Sequence, residues 1–96
     1  MGASVNVDTA GLRTVAGDIE TAAAEIKTEL DNLTTKIKAE IGVDPSHTTW
    51  WGPQAGVFST DYDVKSEAFD TANQDLRSCA QNLTSQASSW DTFEGV

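Results

Sequence analysis

The stretch Gly42-Val43-Asp44-Pro45-Ser46-His47-Thr48-Thr49-Trp50-Trp51-Gly52-Pro53 lies at the middle of the 96-residue chain and interrupts a helical rhythm of apolar residues on either side. Gly42 is suited to the left-handed conformation that ends a helix, and Pro45 disfavours helix in the residue before it. Pro53 suits the first position of a new helix, where its missing amide hydrogen costs nothing, which makes Gly52 the cap. The stretch therefore reads as the turn of a helical hairpin, about residues 42–52.

Working outward toward the N-terminus, Leu12, Val15, Ile19, Ala22, Ala23, Ile26, Leu30, Leu33, Ile37 and Ile41 recur at three- and four-residue steps, keeping one apolar face. Asp18, Glu20, Glu25, Lys27, Glu29, Asp31, Lys36, Lys38 and Glu40 fall between them as a solvated face. Asp8 precedes this run as an N-cap, with Val7 and Leu12 at staple positions. The spacing predicts helix one over about residues 9–41. Toward the C-terminus, Phe58, Tyr62, Phe69, Ala72, Leu76, Cys79, Ala80, Leu83, Ala87 and Trp90 repeat the rhythm, interrupted only by Lys65, one turn after Asp61. Helix two is predicted over about residues 53–89, followed by a short, fraying tail.

The fold class expected is all-α: one domain over residues 1–96, an antiparallel helix-turn-helix hairpin. Two helices alone cannot enclose apolar stripes of this length, because each meets one neighbour. The chain is therefore expected to pair as a four-helix-bundle dimer. Its hairpin or dimer core would draw on Leu12, Val15, Ile19, Ile26, Leu30, Leu33, Ile37, Phe58, Tyr62, Phe69, Leu76 and Leu83, with alanines bringing the helices close.

Fifteen acids against six bases give a formal charge of -9, which repels nucleic acid phosphates and anionic lipid heads. No stretch approaches the roughly 18 apolar residues of a membrane span, so no stable membrane anchoring is expected. Met1 to Val7 lack the basic and apolar regions of a cleavable signal peptide, and Asn6 stands where a myristoylation motif beginning at Gly2 needs Ser or Thr. His47 is the only histidine and Cys79 the only cysteine, so a histidine triad, a multi-histidine metal site and an intrachain disulfide are all excluded from one chain. His47 reads as a solvated loop residue and Cys79 as a small core residue. The triplets Asn32-Leu33-Thr34 and Asn82-Leu83-Thr84 lie mid-helix and are discounted as glycosylation sites. No nucleophile elbow or phosphate-cradling glycine loop is present, and no cofactor or metal is expected.

A hairpin near 100 residues with Trp50-x-Gly52 in its turn and Phe58 eight residues after Trp50 resembles the WXG superfamily of early secreted antigen-like proteins. The likeness covers nearly the whole chain. Members carry a terminal export signal in which Tyr is followed four residues later by Asp or Glu; here Trp90-Asp91-Thr92-Phe93-Glu94 places Trp90 and Glu94 at those positions, with an indole in place of the phenol. Lys65 also stands where some members have a second large aromatic.

The resemblance implies a small non-enzymatic protein. It would be secreted without a cleavable signal peptide through type VII secretion from a Gram-positive bacterium and exported as a folded dimer. The partners implied are a second copy or a paralogous helical hairpin, and the type VII secretion ATPase. In the family, the turn motif of one chain meets the tail signal of its partner, which would make Trp50, Gly52, Trp90 and Glu94 one export mark. A different function class is an intracellular adaptor or targeting chaperone that pairs with a larger secreted effector.

Overall fold

The computed structural model describes residues 6–94, without the side chain of Glu94; Gly2, Gly95 and Val96 lie outside that range. The protein is all-α, with two long helices, α1 over Thr9–Glu40 and α2 over Pro53–Glu94. Between them, Ile41–Gly42 (β1) and Trp50–Trp51 (β2) form a two-residue parallel pair, with Ile41 opposite Trp50 and Gly42 opposite Trp51.

α1 begins where Asp8 satisfies its first amides. The Asp8 carboxylate accepts from the Gly11 N–H at 3.0 Å, and its carbonyl accepts from the Leu12 N–H at 2.9 Å. Gly11 matters there, since a Cβ would press on the capping carboxylate. At the other end, the Thr49 N–H donates to the Glu40 carbonyl at 2.9 Å and the Gly52 N–H to the Gly42 carbonyl at 3.0 Å. The returning chain thus satisfies the Glu40 carbonyl that the end of α1 leaves open and the Gly42 carbonyl just beyond it. α2 starts with Pro53 behind Gly52, whose carbonyl accepts from the Gly56 N–H at 3.0 Å. Thr14, Thr28, Thr35 and Thr84 turn their hydroxyls back to the carbonyl four residues earlier, which keeps them satisfied inside the helices.

The glycine expected to turn left-handed is not the one that does. Gly52 carries the positive φ, at 133°, and Gly42 lies in the extended pair with the His47 ring packed over it. A Cβ on Gly42 would collide with that ring, so the absence of a side chain there serves close approach and not backbone freedom. His47, expected in solvent, is accordingly half-buried.

The chain divides into two compact units. A turn unit comprises Ala24–Asn73, and a terminal unit comprises the residues up to Ala23 and from Gln74 onward. In the turn unit α1 and α2 run antiparallel: Lys27, Thr34 and Lys38 of α1 reach Asp70, Tyr62 and Ser59 of α2 in turn. Ala55 and Asn73 are buried between them. In the terminal unit the first turns of α1 lie against the last turns of α2, with Ala16, Ala23, Ala80 and Ala87 buried.

The seam is thus built from small residues, and the large apolar ones stand beside it. Among the described residues no large side chain is fully buried. Of the core residues expected, Leu12, Ile19, Leu30, Ile37, Tyr62 and Leu83 are half-buried, whereas Val15, Ile26, Leu33, Phe58, Phe69 and Leu76 are exposed. Ala22, Ala72 and Cys79 are exposed as well, so Cys79 is not a core residue of this chain. The physical reason is geometric: a helix with one neighbour buries only a narrow strip, and alanine lets the two backbones close along it.

α2 also continues to Glu94, past the end expected near residue 89. Its last turns are tied to α1 by Asp91, which meets Arg13 at 2.6 Å, while the Trp90 and Phe93 rings pack edge to face at 5.7 Å along α2 itself. Trp90 therefore sits within the helix and not on a tail after it. No helix among the described residues is long and apolar enough to cross a membrane.

Candidate protein interaction site

The turn is held by a small polar network. Asp44 accepts from the backbone N–H of Ser46 at 3.0 Å and from its hydroxyl, while His47 Nδ1 lies 2.9 Å from the Asp44 carbonyl. The Ser46 bonds, with a smaller contribution from His47, hold the Asp44 carboxyl below the usual carboxylate range. The Thr49 hydroxyl donates to the Glu40 carboxylate at 2.8 Å, fastening the start of β2 to the end of α1. Two further links bind α1 to α2 just behind the turn. Lys38 Nζ reaches the Ser59 hydroxyl and the Asp63 carboxylate, each at 2.7 Å, and the Thr34 and Tyr62 hydroxyls are 2.7 Å apart. Tyr62, placed by its spacing on an apolar stripe, is thus half of a polar cross-link.

This scaffold displays the turn motif. Trp50 and Trp51 are exposed, Trp51 by 55%, and the Trp50 ring packs on Phe58 at 5.9 Å with the planes inclined at 45°. Gly52 follows at the cap of α2. The conformation at Gly52 favours glycine, because φ of 133° is one that side chains rarely adopt.

From Phe58 an apolar face extends along the turn unit. At about 100° per residue around α1, the seam positions Leu30 and Thr34 come first, and Ile26 and Leu33 lie roughly a quarter turn beyond them. Around α2, Phe58 and Phe69 are displaced from Ala55, Tyr62 and Asn73 in the same rotational sense. Because the helices run in opposite directions, equal senses of rotation carry both rows to the same side. Ile26, Leu33, Phe58 and Phe69 therefore share one face, and all are exposed, Phe69 by 63%. Lys65 stands at its outer edge, its ammonium 2.6 Å from Asp61.

A second apolar surface was not anticipated from the sequence. Val43 packs into the space left by Gly56, and with Pro53, Val57 and Val64 it lines a shallow groove on another side of α2. The signal available was the spacing of Val57 and Val64, seven residues apart and off the Phe58 stripe. Buried Asn73 was also missed; it precedes Ala80 by seven residues, on the seam.

Comparison with family models, with curated proteins and with solved structures gives no match. The site is accordingly read from its own chemistry. Among the described residues no group of three His, Cys, Asp or Glu side chains could hold a metal ion.

The expected export residues divide between the two units. Trp50 and Gly52 belong to the turn unit; Trp90 belongs to the terminal unit, half-buried beside Phe93, and the Glu94 side chain lies outside the described residues. Asp91, between them in sequence, is held below the usual carboxylate range by hydrogen bonds from Thr9 and then Arg13. Lys27 bridges the helices of the turn unit at 3.1 Å from Asp31 and 3.5 Å from Asp70, and the Asp31 bond leads in raising its pKa.

Proposed function

We propose that this protein is a non-enzymatic helical-hairpin module of the WXG type, a type VII secretion substrate exported folded, as a dimer, and acting through protein contacts. The observation that carries the reading is the face formed by Ile26, Leu33, Phe58 and Phe69, extended by Trp50 at the turn. A row of large apolar side chains beside an alanine seam is what a pairing hairpin leaves for its partner. That partner is a second copy or a paralogous hairpin, and the secretion ATPase reads the turn and helix-end aromatics Trp50 and Trp90. Destination outside a Gram-positive cell follows from the same reading.

The test is the amount of protein in culture supernatant and in lysate, in the native host with and without the type VII motor ATPase, with a lysis marker as control. Supernatant protein that vanishes without the motor supports the proposal. Retention in both strains overturns export and favours the second reading, an intracellular adaptor that offers the same exposed face to a larger effector.

A further inference from the structure

Resting on the export reading, we infer that Thr9 and Arg13 at the start of α1 latch the last turns of α2 in place and withhold Trp90, so that the helix-end part of the export mark is offered only when that latch opens. The end of α2 has little reason of its own to stay helical. Ser85, Ser88 and Ser89 are weak helix formers, no basic residue stands in the last turn, and Asp91 places a negative charge near the negative end of the helix dipole. The helix nevertheless continues to Glu94, because α1 answers those groups. Arg13 meets the Asp91 carboxylate at 2.6 Å and reaches the Ser88 hydroxyl at 3.5 Å, and Thr9 hydrogen-bonds Asp91 as well. Thr9 and Arg13 stand four residues apart, about one helical turn, in the stretch that the Asp8 cap starts, so both face the same partner. Asp91 thereby gains the favourable end of α1 against the unfavourable end of its own helix.

Trp90 is carried by the same turn as Asp91. Its indole is half-buried, borders an apolar groove with Val7, Leu12, Val15 and Leu83, and packs edge to face with Phe93 at 5.7 Å. A tryptophan that anchors a protein contact does so in a pocket that takes it fully out of water. With its own chain covering part of the ring, Trp90 enters such a pocket only when the turn that carries it leaves α1. The contacts that hold this turn suit a latch and not a permanent joint. Arg13 and Asp91 are each 44% exposed, and an ion pair that exposed favours the closed state by roughly fivefold or less. A reader that buries the whole indole gains more than that.

The latch is tested on the whole purified chain, with Trp50→Phe and Trp51→Phe leaving Trp90 as the one indole of its three. In that background Arg13→Gln and Asp91→Asn are each expected to make acrylamide quenching of Trp90 roughly twofold stronger and hydrogen exchange at residues 88–93 about threefold faster. Arg13→Lys and the exchanged pair Arg13→Asp, Asp91→Arg should stay near the starting values, which a general loss of packing would not allow. Unchanged quenching and exchange in both single variants overturn the latch. In the native host, with all three tryptophans intact, Arg13→Gln is expected to raise the motor-dependent supernatant-to-lysate ratio about twofold, and the exchanged pair to return it to the native value. A ratio that stays level or falls overturns the withholding of Trp90. Native protein whose supernatant level is indifferent to the motor overturns the export reading and the role of the latch in it, and the quenching result separates that failure from the absence of a latch.

Discussion

In the terminal unit the residues withdrawn from water are Ala16, Ala23, Ala80 and Ala87, whereas in the turn unit they are Gly42, Ala55 and Asn73. The turn unit adds the Thr34–Tyr62 hydroxyl pair and the Lys38 and Lys27 links across its helices; the terminal unit has the Arg13–Asp91 pair near its helix ends. The turn unit also exposes Ile26, Leu33, Phe58, Phe69 and both turn tryptophans. One unit closes by steric fit of small side chains, and the other closes by directional polar links while keeping its large apolar groups outside. Polar links fix helix separation and register without occupying the face a partner would use.

This contrast can be broken most severely at the alanine seam. Ala80→Leu forces a large side chain between closely packed backbones and is expected to cost about 3 kcal/mol, read from urea denaturation. An effect below roughly 0.5 kcal/mol would show that the terminal unit does not depend on small-residue fit. In the turn unit, Gly52→Val places a β-branched residue where φ is 133°, with an expected loss of about 2 kcal/mol in the same measurement. Tyr62→Phe removes one hydroxyl from the half-buried pair with Thr34 and should lower stability by about 1 kcal/mol. A Thr34→Val, Tyr62→Phe double variant close to the single Tyr62→Phe one would confirm that the two hydroxyls act together.

Phe69→Ser sharpens the comparison from the other side. Monomer stability should move by no more than about 0.5 kcal/mol, because the ring is mostly in water, while partner association is lost. A large loss of monomer stability would return Phe69 to the hairpin core.

The smallest effect concerns Asp91. Its pKa is depressed in the folded chain by Thr9 and Arg13, so its contribution is complete above the ordinary aspartate range and disappears as the pH falls through the depressed value. Hydrogen exchange at residues 88–93 should rise over that acidic interval, and Asp91→Asn should remove the pH dependence. An unchanged profile in the variant would show that another group secures the end of α2.

Much of the fold was legible because it is local. The Asp8 cap, the Gly52–Pro53 start and the Asp61–Lys65 pair each involve residues no more than four apart, where helix geometry alone dictates who meets whom. The periodicity likewise showed two long helices with the turn motif between them. Less legible was which part of each apolar stripe faces the other helix. Ile26 and Leu33 share their stripe with Ala23 and Leu30, and a quarter turn separates a seam residue from an exposed one. Cys79 was misplaced for that reason. The extent of α2 was misjudged because Ser88 and Ser89 are weak helix formers, while Arg13, 78 positions before Asp91, secures that end.

The sequence by itself determined that this chain is helical, where its helices begin, and that its apolar residues exceed what two helices can hide, since all three depend on composition and short-range spacing. Only the tertiary structure decided that alanines form the seam, that Gly42 yields its space to His47 while Gly52 takes the positive φ, and that Phe58 and Phe69 stand outward with Ile26 and Leu33. Those choices depend on how closely the two backbones approach, a quantity set by the fit of distant small residues and not by any local preference.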